Sequence, residues 1–230
     1  MTSEPESLFA IPSSIQQGSG DHLVELRSPL NIASTMTENL LLEYAEGFDA
    51  ANVGWGRVDL RTLRMLMQLH TAQSDVSGRA SYLARAGASN LLAHLLDSME
   101  QVAEDHPVSG ALTSKGDRVL ILMGHDTNIT NISGALNLSW LIDGRRDDTP
   151  PGGALMFELW QNARSKAQSV RVYYMSQTLE QMRNTTSLSL RNPPERVAVY
   201  VPDCSGADAS CSWSAFKQAM QRTIDTSFVR

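Results

Sequence analysis

The stretch that decides the reading of this chain is Val119-Leu120-Ile121-Leu122-Met123-Gly124-His125-Asp126-Thr127-Asn128, VLILMGHDTN. Five apolar residues end at a glycine, a His-Asp pair follows at once, and an amphipathic segment begins at Asn128. This pattern predicts a buried strand over 118–123 and a helix over 128–136. In open α/β sheets, ligands sit at the carboxyl ends of the strands. A helix start adds unpaired N–H groups and a partial positive charge, which suit an anion. His125 and Asp126 at such a place can contact an anion and supply a proton. The alternative reading makes Asp126 a helix N-cap and His125 a hydrogen-bonded loop residue.

Working outward, the second half alternates strands and helices. After Thr149-Pro150-Pro151-Gly152-Gly153, residues 154–160 and 170–175 read as strands able to pair as neighbours. A short helix is expected over 179–183, a further strand over 196–201 and a closing helix over 214–223. The first half is different. Residues 1–27 read as irregular, rich in Ser, Gln and Gly. Ser28-Pro29 is a helix-start signal, and Leu30, Ala33, Leu40, Leu41 and Tyr44 give that helix an apolar face. Leu60, Leu63, Leu66 and Met67 mark a second helix. Leu83, Leu91, Leu92, Leu95 and Met99 mark a third, over 80–104. Three helices without an intervening strand predict a helical lobe over 28–115, followed by an α/β part over 116–230.

Composition narrows the function. With 230 residues, 42% of them hydrophobic and 19% charged, the chain has the make-up of a globular protein with one large core or a core plus a lobe. A net charge of −6 argues against nucleic acid as a partner, since no surplus of Lys and Arg exists to replace counterions. No segment reaches the roughly 20 consecutive apolar residues of a membrane span. Cys204 and Cys211 bracket the turn-rich Ser205–Ser210 loop and are either a local disulfide or two free thiols. There is no GxSxG elbow, P-loop, GxGxxG or HExxH, and neither cysteine is followed six residues later by Arg. His22, His70, His94 and His106 are scattered; His70 and His94 read as structural or surface residues, and Asp147-Asp148 as a solvated loop pair. The sequence therefore offers an acid and an anion contact, with no metal site and no recognisable nucleophile.

Three motifs in order, GHDTNI, TPPGGALMFELW and SQTLEQMRN, resemble the C-terminal half of the histidine acid phosphatases, in the branch of the bacterial periplasmic acid phosphatases/phytases and glucose-1-phosphatases. The resemblance extends back through LNIASTMTENLLLEYAEGF and VGWGRV and forward to the cysteine pair. It implies a phosphoglycerate-mutase-like α/β domain with a helical lobe, incomplete at its N-terminus. It also implies an acid phosphomonoesterase without cofactor and a phosphate monoester as substrate. By resemblance, His125 contacts the phosphate and Asp126 protonates the leaving oxygen. Thr127 lines the pocket, Glu38 borders the cleft, and Cys204 and Cys211 form a disulfide, which implies a periplasmic location.

Two departures accompany the resemblance. The family's nucleophile lies in an N-terminal RHGxRxP motif, whereas the five histidines here follow Asp21, Leu69, Ala93, Asp105 and Gly124. The expectation is a C-terminal portion with little activity alone, whose partner is the N-terminal portion of the same enzyme and whose sheet exposes an apolar edge. A non-catalytic phosphate-binding or interaction module on the same fold is the alternative. In addition, Gly87 and Thr35 stand where phytases carry a basic and a bulkier apolar residue, which favours a less specialised phosphomonoesterase.

Overall fold

The structure, a computed structural model, describes residues 7, 10–19, 24–114 and 116–230. His22 and Lys115, both used in the sequence reading, lie outside the described residues. The segment read as irregular contains a short antiparallel hairpin, β1 (Ser14–Gln17) with β2 (Val24–Arg27), in register from Ser14↔Arg27 to Gln17↔Val24.

The first helix begins at the cap expected for it, and the second at a side-chain cap of the same kind. In α1 (Pro29–Ala45) the Ser28 hydroxyl accepts from the Asn31 N–H at 3.1 Å, with proline in the first turn. In α2 (Leu60–Ser77) the Asp59 carboxylate accepts from the Thr62 N–H at 2.7 Å. The third helix, α3 (Ser81–Glu104), runs to Asp105, which adopts a left-handed conformation (φ 52°). These are followed by α4 (Asp126–Ala135) and the hairpin β3 (Leu141–Ile142) and β4 (Arg145–Arg146). Then come β5 (Ala154–Gln161), β6 (Gln168–Ser176), α5 (Leu179–Arg183), β7 (Glu195–Val199), β8 (Ser210–Ser212) and α6 (Trp213–Thr223).

The main sheet has the order β5–β6–β7 and is antiparallel, with β8 pairing the first part of β6. Along β6, Val170, Val172, Tyr174 and Ser176 are buried at every second position, the period of a strand packed on one face. Val170, Val172 and Tyr174 join Leu92 and Leu96 of α3, Ile132 of α4 and Phe216 and Met220 of α6 in the larger core. A smaller core unites Leu41 of α1, Leu63 and Met67 of α2 and Leu179 of α5. Cys204 and Cys211 are joined by a disulfide with an S–S distance of 2.10 Å.

The strand expected over 118–123 does not form. The backbone there has no sheet pairing, and Val119, Ile121 and Met123 are 74%, 75% and 92% exposed. Five apolar residues favour a strand only when a neighbouring strand supplies the ladder and covers the side chains. None of the described strands runs beside this segment.

The contact between α3 and α4 is close because Gly134 has no side chain. A Cβ there would lie 2.5 Å from the Arg79 Cα and 2.9 Å from the Ala84 Cβ. Gly134→Ala should therefore lower stability by about 1–3 kcal/mol through overpacking, read as a reduced urea midpoint at unchanged slope. A midpoint equal to that of the parent would mean that the two helices can separate without cost.

Candidate functional site

The site is built on the first turn of α4. A Cβ on Gly124 would lie 2.7 Å from Asn128 Oδ1, so the glycine leaves room for the Asn128 carboxamide to fold back. That oxygen accepts the His125 N–H at 2.8 Å, and the Asn128 N–H donates to the His125 carbonyl at 3.0 Å. The Asp126 carboxylate accepts from the Thr127 N–H at 2.7 Å and from its hydroxyl at 3.3 Å. The turn Gly-His-Asp-Thr-Asn is thus closed by its own side chains, and His125, Asp126 and Thr127 are all exposed on it.

A small cavity of about 20 Å³ is lined by Glu38, Leu41 and Leu42 of α1, Met67 and His70 of α2, Asp126 of α4 and the segment Asp148–Pro151. Glu38 and Asp126, 88 positions apart in the chain, therefore border one space; His125 and Thr127 stand on the same turn without lining it. Such a cavity holds about one water, whereas sites for small molecules span about 300–1,000 Å³. The lining residues thus wall a water-sized space among the described residues.

His70 and Asp148 belong to that wall although neither was singled out for it. His70 lies on the α2 face that carries Leu63 and Met67, at spacings of four and three residues, a phase visible in the sequence. Its Nδ1 is 3.1 Å from the hydroxyl of Ser34, which is buried. His94, by contrast, is a structural residue, with Nδ1 2.7 Å from the Gly110 carbonyl.

The reading of Asp147-Asp148 as solvated is overturned. Both residues are buried, at 5% and 2% exposure, and both are ion-paired. Asp143 and Gly144 take left-handed conformations (φ 46° and 72°) at the tip of the β3–β4 hairpin, the pair that a two-residue turn demands. Arg145 is thereby carried into the interior, where its guanidinium pairs with Asp143 and, through Nε, with Asp148 Oδ2 at 2.5 Å. Asp147 pairs with Arg146 at 2.8 Å and with Arg79 at 3.6 Å, and Asp75 reaches both arginines, at 2.6 Å and 3.2 Å. The reversal has a plain cause: buried carboxylates are tolerated when cations and donors surround them, and those cations are Arg79, just past α2, and Arg145 and Arg146 of the hairpin.

Of the two residues read as bearing on substrate, Gly87 has a packing reason and Thr35 lies exposed on α1, while Arg85 near Gly87 is engaged by the backbone. Arg85 Nε donates to the Thr223 carbonyl at 2.9 Å, and a Cβ on Gly87 would lie 2.3 Å from Asn131 Nδ2 of α4. Thr35 is exposed, and its hydroxyl donates to the Asn31 carbonyl at 3.2 Å. Elsewhere, Glu100, Glu104 and His106 come close enough to hold a cation, but Lys217 Nζ occupies both glutamates at 2.9 Å each.

With this geometry in place, comparison with known proteins decides the family. Residues 28–175 match the histidine phosphatase superfamily (branch 2). The chain belongs to that family. It is 36% identical over 214 residues to phytase AppA of Escherichia coli (strain K12), covering 91% of this chain and 48% of the relative. It is 29% identical over 202 residues to a glucose-1-phosphatase of Providencia rettgeri, covering 86% of this chain and 46% of the relative. Among solved structures, the apo form of Hafnia alvei phytase superimposes with a TM-score of 0.83 at 33% identity, covering 96% of this chain and 54% of that one. The phytase of Citrobacter braakii gives 0.79 at 31%, with 95% and 54% covered. The chain thus spans about half the length of the curated relatives it matches. The fold is that of the histidine phosphatases, an α/β fold with a helical lobe, and its relatives are acid phosphomonoesterases.

The ion pairs behind the cleft wall set a pH dependence. Burial pushes the Asp143 carboxyl upward, but the Leu179 N–H, Arg64 and Arg145 outweigh it and hold the group below the ordinary aspartate range. A depressed carboxylate contributes stability above its unfolded pKa of about 3.9, and that contribution is lost as pH falls through the folded value. Urea midpoints of the parent should fall below about pH 4, and Asp143→Asn should be less stable at neutral pH with a flatter acid limb. Parallel limbs for the two proteins would exclude Asp143 as the cause.

Proposed function

We propose that this chain is the proton-donor portion of a periplasmic histidine acid phosphatase, one that hydrolyses phosphomonoesters through a phosphohistidine. The observation that carries the proposal is the convergence of Glu38 and Asp126 on one cavity at the start of α4, in a chain of this family. In this reading His125 contacts the bound phosphoryl group from the helix N-terminus, where N–H groups and the helix dipole favour negative charge. Asp126 protonates the departing alcohol oxygen, a general-acid step. Thr127 lines the phosphate side of the site and Glu38 borders the leaving-group side. The α1–α3 region over 28–115 acts as the lobe above the cleft and 116–230 as the α/β part below it.

Attack on phosphorus requires a nucleophile, and in this proposal it comes from a segment with an Arg-His-Gly-x-Arg-x-Pro motif, the N-terminal portion of the same enzyme. The apolar, unpaired stretch over 119–123 is where a strand of that portion would dock, supplying the ladder those residues lack. The disulfide supports an oxidising compartment such as the periplasm. Phytate and sugar phosphates are both candidate substrates, since the matched relatives include phytases and glucose-1-phosphatases. The second reading, a phosphate-binding module without turnover, is favoured by the absence of any Arg-His dipeptide in the chain.

Purified chain should release no phosphate from p-nitrophenyl phosphate above background. Adding a polypeptide with the Arg-His-Gly-x-Arg-x-Pro segment should restore turnover, and Asp126→Asn should cut it by about 10²–10⁴-fold, the range of a general acid. Turnover by the chain alone that disappears in Asp126→Asn would overturn the two-part account. Phosphate binding without turnover in the mixture would favour the module.

A further inference from the structure

The end of the β5–β6 hairpin holds a second cavity, of about 350 Å³, whose lining includes Trp160, Gln161, Asn162, Gln168, Ser169 and Arg171. We propose that it is a binding site for a neutral saccharide. Trp160 is the ring on which a sugar stacks, and the carboxamides around it are partners for the hydroxyls. The phosphatase reading leaves this surface unused, and Asp126 plays no part in it.

Three observations carry it. First, the volume falls in the range of about 300–1,000 Å³ usual for small-molecule sites, unlike the water-sized space beside Asp126. Second, Trp160 is held in place and yet kept exposed. Alternation along β5 sets Leu155, Phe157 and Leu159 against the core and puts Glu158 and Trp160 on the opposite face. There Trp160 Nε1 donates to Glu158 Oε2 at 2.9 Å, and Glu158 Oε1 accepts from Arg196 at 2.5 Å. Arg196 in turn lies 3.6 Å from the centroid of the Tyr173 ring, and the Arg171 guanidinium 5.6 Å from that of Trp160. The Trp160 residue is still 52% exposed. A fixed ring loses little freedom on binding, and its negative face attracts the C–H groups of a sugar ring.

Third, the polar groups suit hydroxyls better than an anion. Each carboxamide of Gln161, Asn162 and Gln168 has donors and an acceptor, which matches a hydroxyl that both donates and accepts. Two of them are oriented by the backbone. Asn162 Oδ1 accepts from the N–H groups of Arg164 and Ser165, at 2.9 Å and 3.0 Å, and Gln168 Nε2 donates to the Ala103 carbonyl at 2.7 Å. Arg171 has Asp208 at 3.8 Å and Arg196 has Glu158 at 2.5 Å, so an incoming phosphate meets a carboxylate beside each of these cations. Arg164 and Lys166 of the turn do not line the cavity.

The experiment is a titration of the ¹⁵N-labelled full chain with maltoheptaose and, separately, with glucose and with inorganic phosphate, read by NMR. Maltoheptaose should give saturable shifts at the Trp160 indole N–H and at the amides of residues 161–169, with the turn at 125–128 unmoved. Glucose binding as tightly as maltoheptaose identifies a site filled by one ring, and weaker glucose binding a site that follows a chain; both support the proposal. Trp160→Ala removes an exposed ring and should weaken binding by about tenfold or more, the scale of truncating a central aromatic contact, while the rest of the amide spectrum stays that of the parent. Trp160→Phe, which keeps a ring, should lose less. No shift at about 10 mM sugar, a concentration that fills most of a millimolar site, would overturn the proposal. So would sugar shifts that survive Trp160→Ala, or inorganic phosphate alone moving the same signals. None of these readings depends on turnover.

Discussion

The cleft depends on a closed ring of four charges. Asp75 in the last turn of α2, Arg79 just beyond it, and Arg146 and Asp147 of the hairpin region pair in turn, with the Asp147 side chain fully buried and accepting from the Trp140 N–H at 2.8 Å. Arg79 also donates to the Ser133 hydroxyl at 2.7 Å and to the Leu138 carbonyl at 2.6 Å. One side chain therefore ties α2 to the hairpin and to the end of α4. Breaking a buried pair of this kind costs about 3–5 kcal/mol, because an uncompensated charge is left behind. With the ring intact, α2 carries His70, the segment following the hairpin carries Asp148, and α4 carries Asp126 to one cavity.

The elements legible in the sequence are those fixed by local rules. Ser28, Asp59 and Ser212 cap their helices by accepting an N–H three residues on. The strand over 170–175 is placed by its composition, and Thr178 with Gln181 closes a capping box over the short α5. What failed was non-local. Residues 118–123 have strand composition, but a strand is a pairing property, and the pairing is not among the described residues. Asp147 and Asp148 looked solvated because the cations that bury them come from Arg79, far back in the chain, and from an arginine turned inward by the hairpin. The clue was present at Asp143-Gly144, a two-residue turn signal between Leu141-Ile142 and Arg145-Arg146.

The candidate site was legible to the same extent. The turn from Gly124 to Asn128 carries its own logic, since a glycine opens space that an asparagine fills, and the acid between them is left exposed. Glu38 entered through resemblance, and only the tertiary structure joins it to Asp126. His70 was readable from its phase with Leu63 and Met67, yet an apolar helix face gives no sign that one of its residues borders a cleft. The reading of Gly87 as a lost substrate contact lacked the crossing helix α4, which supplies a packing reason for glycine at that position.

Under the proposed function, the first turn of α4 binds an anion beside an acid. Titration of ¹⁵N-labelled chain with inorganic phosphate, read by NMR, examines that turn amide by amide. Saturable shifts are expected at the amides of His125, Asp126, Thr127 and Asn128, and they should disappear in His125→Ala. Shifts confined to other surfaces, or shifts at this turn that survive His125→Ala, would contradict it.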